Sequence, residues 1–260
     1  MRLVDIGANL THSAFREDLP EVLARARKAG VDVVVTGTSV EESRAALALG
    51  LPCTAGVHPH HARDCDDRTI GLLREIASNP QVVAIGECGL DFNRNYSPHP
   101  DQEKWFVAQI ELASTLSRPL FLHSRDAHPR FAQIIKDMKV EKAVAHCFTG
   151  GKEELRAILD LDLYVGITGW ICDERRGKHL VELVRDIPRD RLLLETDAPY
   201  LTPRDLHPQP RARRNEPAFL PHILQAVARA LGRAADEVAA ETTANARRLF
   251  NLPEPVRTPA

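Results

Sequence analysis

Val82-Val83-Ala84-Ile85-Gly86-Glu87 is a short apolar run that ends in a carboxylate side chain. Three later runs end in the same way, with an imidazole or a carboxylate: residues 120–123, 143–146 and 192–197. Each run has the length and composition of a buried parallel strand. If these strands lie side by side and point in the same direction, their last side chains meet at one end of the sheet.

Apolar runs of this kind alternate with amphipathic segments along the chain. The predicted strands cover residues 3–6, 32–35, 53–57, 82–86, 119–122, 142–145, 163–167 and 191–194. The predicted helices cover residues 19–29, 40–49, 67–78, 101–117, 130–138, 153–160, 177–185, 218–231 and 236–249. Eight strands, each followed by a helix, predict an α/β fold of the (β/α)8 TIM-barrel type. An open doubly wound sheet fits less well, because the sequence has neither a G-x-G-x-x-G turn nor a P-loop.

The composition is that of a soluble globular protein, with 43% hydrophobic and 27% charged residues. No break in composition divides the chain, so we predict one domain over residues 1–250 and a flexible tail at 251–260. No apolar stretch is long enough to cross a bilayer, and the first strand begins too close to Met1 for a signal peptide. The five cysteines are odd in number and scattered, which favours a reducing, cytoplasmic location.

The formal net charge of −2 means that the molecule as a whole would not attract nucleic acid. Two loops nevertheless carry local basic patches. Arg204, Arg211, Arg213 and Arg214 lie in one proline-rich loop, and Arg175 and Arg176 lie in another. Binding to a polyanion would therefore depend on these loops.

Polar or metal-binding side chains follow most of the predicted strands. In chain order they are Asn9, Thr36, His58, Glu87, His123, His146, Glu195 and Asp197. A single residue of this kind is usually a loop or capping residue, but two histidines and two carboxylates at equivalent strand ends favour a metal centre. The predicted metal ligands are Glu87, His123, His146 and Asp197.

Mixed nitrogen and oxygen ligands suit Zn²⁺, Mn²⁺ or Mg²⁺. A bound ion lowers the pKa of water and polarises a phosphoryl or carbonyl oxygen, so hydrolysis is the expected chemistry. Asp197 or Glu195 would take the proton of the water, since both follow the last strand. The sequence is compatible with one metal ion or with two.

Five motifs, in chain order, carry a resemblance to a known family: Gly56-Val57-His58-Pro59-His60, Ile85-Gly86-Glu87-Cys88-Gly89-Leu90-Asp91, His123-Ser124-Arg125-Asp126-Ala127, His146-Cys147-Phe148-Thr149-Gly150 and Glu195-Thr196-Asp197-Ala198-Pro199-Tyr200. Together they resemble the TatD family of metal-dependent deoxyribonucleases, over residues 1–250. The resemblance implies an amidohydrolase-like barrel and a Mg²⁺-dependent 3′–5′ exonuclease. The implied substrates are the 3′ ends of single-stranded DNA and RNA, and the implied role is DNA repair or nucleic-acid degradation. The resemblance also implies that the same four predicted residues bind the metal.

The resemblance also implies substrate contacts. His58 would lie near the scissile phosphate and bind it or protonate the leaving group. Further contacts are expected from Asn9, His60, Asp91, Arg94, Arg125, Arg175, Arg213 and Arg214. His60 has a structural interpretation as well, as part of a proline turn, and Trp170 and Tyr200 offer aromatic faces on which a base could stack.

The first strand departs from the family pattern. Most members carry Asp-x-His-x-His there, whereas this chain has Asp5-Ile6-Gly7-Ala8-Asn9. Gly7 has no side chain, and Asn9 offers only a neutral amide oxygen. We therefore expect a first metal position that is weak, filled only with substrate or missing, and a site that prefers Mg²⁺.

Two other functions are compatible with these residues. The same type of barrel hydrolyses esters and amides, so a metal-dependent hydrolase such as a D-aminoacyl-tRNA deacylase is an alternative. A cytoplasmic partner protein linked to protein export ranks below both, because a binding module does not need metal-binding residues at its strand ends.

Overall fold

The structure, a computed structural model, describes residues 2–253. Its strands form one parallel eight-stranded sheet in sequential order, β1 to β8. They are β1 (Leu3–Ala8), β2 (Val31–Val35), β3 (Cys53–Ala55), β4 (Val82–Asp91), β5 (Leu120–Arg125), β6 (Ala143–Ala145), β7 (Tyr164–Ile167) and β8 (Leu192–Leu194). The sheet closes through a parallel bridge between Ala8 and Ala198, so the predicted TIM barrel is confirmed.

Helices follow the strands, as predicted. They are α1 (Leu19–Lys28), α2 (Val40–Ala48), α3 (Thr69–Ala77), α4 (His99–Leu116), α5 (His128–Asp137), α6 (Lys152–Asp160), α7 (Lys178–Leu183), α8 (Leu220–Leu231) and α9 (Ala235–Phe250). Within residues 2–253, none of these helices is both long and apolar enough to cross a bilayer. Of the predicted tail, residues 254–260 lie outside the described part of the chain.

The core has two parts, because side chains alternate between the two faces of each strand. Leu3 and Leu192 face the helices, whereas Val4 and Leu193 face the barrel interior. At the amino ends of the strands, apolar residues of α9 such as Phe250 pack against the interior set. This helix covers the bottom of the barrel and leaves the carboxyl ends of the strands for the site.

One strand differs from the prediction in a way that shapes the site. β4 was expected to end at Gly86, but it continues to Asp91 and pairs with β5 there. The register shifts between Ile85 and Cys88. Gly86 and Gly89 have φ angles of 138° and 144°, and a Cβ atom at either would lie within 2.2 Å of a carbonyl oxygen of β5. Only glycine fits these positions, so they allow the strand to bend while it keeps Glu87 and Asp91 buried.

Candidate active site

A cavity of about 720 Å³ opens at the carboxyl ends of the strands. Most of the predicted site residues line it: Asn9, His58, His60, Glu87, Asp91, Arg94, His123, Arg125, His146 and Asp197. The predicted residues Glu195, Arg175, Arg213 and Arg214 do not. The first group can therefore contact a substrate in the cavity, whereas the second group lies outside the cavity lining.

Three imidazoles meet one carboxylate oxygen on the floor of this cavity. Oε1 of Glu87 lies 2.7 Å from Nε2 of His146 and 3.0 Å from Nδ1 of His123. The same oxygen lies 3.2 Å from Nε2 of His58. Burial would raise the pKa of Glu87, but the surrounding histidines outweigh it and hold that pKa well below its usual value. Glu87 is thus an anionic centre with nitrogen donors around it, which is the electrostatic setting of a cation site.

His146 is oriented from below by Glu195. Its Nδ1 lies 3.3 Å from Oε2 of Glu195, while its Nε2 faces Glu87. Burial opposes a charge on His146, but the two carboxylates raise its pKa well above the ordinary value. A histidine that gives one nitrogen to a buried carboxylate and presents the other to the site has the arrangement typical of metal ligands.

Glu195, one of the two residues predicted as the base, is fully buried. Its Oε1 accepts a hydrogen bond from the backbone nitrogen of Cys147, and its Oε2 faces His146. Glu195 is not among the residues that line the cavity, and it contacts the site through His146.

His123 connects the carboxylates of Glu87 and Asp91. Within residues 2–253, its buried Nε2 has no hydrogen-bond partner and lies 3.5 Å from Oδ2 of Asp91. Asp91 accepts a hydrogen bond of 2.6 Å from Nε2 of His60. Burial raises the pKa of Asp91, but the imidazoles of His123 and His60 beside its carboxylate lower it far more. An unpaired buried nitrogen at the site is an observation that a cation ligand position would explain.

His58 is suited to donate a hydrogen bond rather than to bind a metal. Its Nδ1 accepts a hydrogen bond from the backbone nitrogen of His60, at 3.1 Å, so the proton of the neutral ring is on Nε2. Burial, with smaller contributions from His123 and His60, lowers the pKa of His58 to about 4, which keeps the ring neutral. His58, Glu87 and His123 have ligand atoms within 4.8 Å of one another, but only the last two have the free acceptor atoms that a metal needs.

Asp197 supplies the carboxylate that faces the cavity from the last strand. Its Oδ1 accepts a hydrogen bond of 3.0 Å from Nδ2 of Asn9. Burial raises the pKa of Asp197 to about 7, and the carboxylates of Glu87 and Glu195 add to this effect while His146 opposes it. A carboxyl group that titrates near neutrality in a cavity can both accept and return a proton.

Gly7 has a packing role at the position where the family pattern has histidine. A Cβ atom built on Gly7 would lie 2.8 Å from Oε2 of Glu195 and 2.8 Å from the ring of Phe121. These two side chains already fill the space beside the first strand. A side chain at position 7 would therefore displace Glu195 or Phe121.

The segment after the last strand supports the turn that carries Asp197. The amide of Asn215 donates to the carbonyl oxygens of Thr196 and Tyr200, at 2.9 and 2.7 Å, and so fixes both ends of the Asp197 turn. Arg214 forms two hydrogen bonds of 2.7 Å with the carboxylate of Asp18. Arg214, predicted to contact substrate, thus has its guanidinium group paired with Asp18 and lies outside the cavity lining.

The other arginines fall into two groups. Arg94, Arg125 and Arg176 line the cavity, and Arg125 and Arg176 lie 5.6 and 6.0 Å from the ring of Trp170. Arg175 instead pairs with Asp173 at 3.0 Å, and the exposed Arg213 lies outside the cavity lining. The basic surface that faces the site therefore comes from Arg94, Arg125 and Arg176.

Two exposed tyrosines stand at the cavity. Tyr96 is 52% exposed and Tyr200 is 50% exposed. The edge of His60 packs against Tyr96, and His12 packs against Tyr200. Tyr200 and Arg176 stand out in the sequence as a possible stacking ring and as part of a basic loop, whereas Tyr96 and His12 lie in loops and carry no pattern that separates them from other polar surface residues.

A TIM barrel with buried histidines and carboxylates at the carboxyl ends of its strands is typical of a metal-dependent hydrolase. Residues 4–251 match the family described as "TatD related DNase". The chain belongs to this family, as its motifs predicted.

Relatives with assigned names cover the chain almost completely. The "3'-5' ssDNA/RNA exonuclease TatD" of Erwinia tasmaniensis is 55% identical over 259 residues, which cover 96% of this chain and 100% of the relative. The protein of the same name from Klebsiella pneumoniae is 53% identical over 258 residues, with coverages of 96% and 98%.

Solved structures give the same family. The TatD homologue YJJV of Escherichia coli K12 superposes with a TM-score of 0.87 at 28% identity and covers 97% of this chain and 99% of that chain. A TatD family hydrolase from Entamoeba histolytica has a TM-score of 0.88 at 25% identity, with coverages of 96% and 98%.

Proposed function

We propose that this chain is a metal-dependent exonuclease that removes nucleotides from the 3′ ends of single-stranded DNA and RNA. The approach of His123 and His146 to Glu87, beside the carboxylate of Asp197, carries the proposal. Nitrogen and oxygen donors of this kind serve metal-assisted hydrolysis of a phosphodiester bond. The names of the relatives, which share half of the sequence or more, specify the same reaction.

The proposed metal ligands are Glu87, His123, His146 and Asp197. They fit a divalent ion because one nitrogen of His123 lacks a hydrogen bond and because Glu195 orients His146 through its other nitrogen. When bound, the ion would polarise the phosphoryl group and acidify a water molecule. We propose Mg²⁺ as the working ion, since Gly7 and Asn9 reduce the imidazole content of the site and leave a larger share of oxygen ligands.

The side chains around the ligands have separate roles toward the substrate. Arg94 and Arg125 line the cavity and can pair with phosphate oxygens of the strand. His58 presents its Nε2–H group to the centre of the site, where it can donate to the scissile phosphate. His60 and Asp91 position His123, through the contacts of Asp91 with both rings.

Asp197 acts as the base in this proposal. Asn9 holds one oxygen of its carboxylate, and the side chain faces the cavity. A pKa of about 7 allows the ionised form to accept a proton from the attacking water. Asn9 is thus a positioning residue for Asp197.

Bases of the substrate would stack on Tyr96 and Tyr200. Both rings are half exposed beside a cavity that also contains the basic side chains. Stacking tolerates every base, which suits an enzyme that digests a strand regardless of its sequence. Two separate stacking rings are sufficient to hold the end of a strand, whereas binding along an extended groove would need more of them.

We also propose one domain over residues 1–250 and a cytoplasmic location. The helices and strands of one barrel occupy residues 3–250 in sequential order, which supports the first point. All five cysteines are free thiols, as a reducing compartment requires, which supports the second.

The test is digestion of end-blocked single strands with purified protein and Mg²⁺. We expect an oligonucleotide with a phosphorothioate block at its 5′ end to be shortened stepwise, and one blocked at its 3′ end to resist. A chelator should stop the reaction. Digestion from the 5′ end, or no shortening of either strand with Mg²⁺ or Mn²⁺, would overturn the proposal.

A pair of arginine variants tests the substrate path. Arg94→Ala should raise KM for single-stranded DNA and lower the salt dependence of binding by roughly one counterion. Arg213→Ala is the matched control, because Arg213 is an exposed loop arginine outside the cavity lining. Equal effects of the two substitutions would contradict the proposed path.

A further inference from the structure

A second group of metal-binding side chains lies outside the candidate active site. Cys172 ends the short 3-10 helix after β7, Asp205 lies in the loop after β8, and His222 lies in the first turn of α8. Their ligand atoms all lie within 4.8 Å of one another. None of the three lines the cavity described above. Three segments that are distant in sequence therefore bring a sulfur, an oxygen and a nitrogen donor together.

The spacing of these atoms is close to what a tetrahedral ion requires. Zinc binds sulfur at about 2.3 Å and nitrogen or oxygen at about 2.0–2.2 Å, so its ligands are roughly 3.3–3.8 Å apart. Nε2 of His222 and Oδ1 of Asp205 lie 2.7 Å apart, and the remaining separations are at most 4.8 Å. Small side-chain rotations would bring all three ligand atoms to one ion.

The environment also suits an ion with an entry path. Cys172 is only 7% exposed, whereas the side chains of Asp205 and His222 are 46% and 25% exposed. Arg229 lies 3.8 Å from Oδ2 of Asp205, which leaves Oδ1 on the side of the histidine.

We propose that Cys172, Asp205 and His222 form a binding site for a thiophilic divalent ion such as Zn²⁺, with water completing the coordination. The ion replaces the thiol proton, which is released to solvent, and binds the thiolate, the carboxylate and the neutral imidazole. This donor set is softer than that of the candidate active site, so the two positions select different ions.

The position of the site gives it a structural consequence. Cys172 lies two residues after Trp170, which lines the cavity, and Asp205 lies in the segment that follows Asp197 and Tyr200. A metal ion on these ligands ties both cavity loops to α8. It would restrain the loops that surround the substrate without contact with the reacting atoms.

Cobalt absorption tests the site independently of nuclease activity. Metal-free full-length protein would be titrated with Co²⁺, which gives a thiolate-to-metal charge-transfer band only when sulfur binds it. We expect the band in the wild-type protein, its loss in Cys172→Ser and its displacement by Zn²⁺. Cys147→Ser is the matched control, since Cys147 is a buried cysteine that lines the catalytic cavity and its loss should leave the band unchanged.

A second variant guards against a folding defect in Cys172→Ser. His222→Gln changes a partly exposed side chain and should weaken Co²⁺ and Zn²⁺ binding by at least about tenfold while the circular dichroism spectrum stays that of the wild type. Absence of the band in wild-type protein at excess Co²⁺ would overturn the proposal. A band that survives in Cys172→Ser, or an unchanged affinity in His222→Gln, would overturn it equally.

Discussion

Nε2 of His146 lies 2.7 Å from Oε1 of Glu87, on the floor of a barrel cavity. The two residues come from β4 and from the end of β6, which are separated in the sheet by β5. Their contact brings a buried carboxylate and a buried imidazole to the position where an ion would bind. The side chains around His146 and Glu87 fix the positions of these two residues, and substitutions of those side chains should have separate effects.

Glu195 orients His146, so its substitution should act on the metal rather than on the substrate. We expect Glu195→Gln to weaken binding of the catalytic ion by about 10–100-fold and to lower kcat at subsaturating metal. KM for single-stranded DNA should stay near the wild-type value, since Glu195 does not line the cavity. Calorimetric metal titration measures the first effect, and wild-type metal affinity in the variant would refute this role.

Asp197 should set the acidic side of the pH profile. Its raised pKa, about 7 without metal, means that the form able to accept a proton predominates above that pH. A bound cation lowers the pKa of a neighbouring carboxyl group, so the breakpoint of kcat/KM should fall at or below this value. Activity should rise with pH up to the breakpoint and then level off.

The substitution Asp197→Asn provides the check on this assignment. It should reduce kcat by at least about a hundredfold and remove the acidic breakpoint from the residual activity. If the variant keeps the same breakpoint as the wild type, another group is the base.

The pair of Arg214 and Asp18 should contribute to stability and not to catalysis. Arg214→Ala removes the two 2.7 Å hydrogen bonds to Asp18 and one of 2.6 Å to the backbone oxygen of Ala14, but the side chains of Arg214 and Asp18 are partly exposed, so the expected loss is only about 1 kcal/mol. Activity per folded molecule should be unchanged. Denaturant unfolding and kcat/KM measured on the same samples would separate the two effects.

The stability difference between Arg214→Ala and wild type should also depend on pH. Arg214 lowers the pKa of Asp18 below its unfolded value of 3.8. The contribution of the pair is therefore complete above pH 3.8 and disappears as pH falls through the folded-state pKa. A difference that persists undiminished below that pKa would argue against the ion pair as its source.

Gly7 is expected to tolerate no side chain. In Gly7→Ala, the new methyl group would meet Glu195 and Phe121 at 2.8 Å, at a cost of about 1–3 kcal/mol in stability and with displacement of Glu195. Gly71→Ala is the matched control, because Gly71 lies in α3 with open space around it and should be stabilised by up to about 1 kcal/mol. Unfolding free energies measure both, and equal stability of the two variants would contradict the packing described for Gly7.

The sequence predicted the barrel because its strands are buried on both faces and read as continuous apolar runs. It also placed Glu87, His123, His146 and Asp197 at one end, since the carboxyl ends of barrel strands share a face. It did not predict that β4 continues through Glu87 to Asp91, because two glycines with positive φ preserve the strand where the apolar pattern stops.

The surroundings of Arg214 and Glu195 could not be predicted for a different reason. Arg214 pairs with Asp18 across a separation of 196 residues. No local sequence pattern indicates a partner so far away in the chain. The sequence of the arginine-rich loop therefore predicted a phosphate-binding site. Glu195 and Asp197 are two residues apart and equally acidic, and only the structure shows that one is buried under His146 while the other faces the cavity.

Glu87 is the anion around which the three histidines are arranged, and it is the proposed centre of the catalytic ion site. Glu87→Gln keeps the size of the side chain and removes its charge. The decisive measurement is stepwise digestion of a single strand from its 3′ end with Mg²⁺, together with calorimetric metal titration. We predict that the variant folds, loses metal binding and digests the strand at least about a hundredfold more slowly. Digestion at the wild-type rate by Glu87→Gln would contradict it.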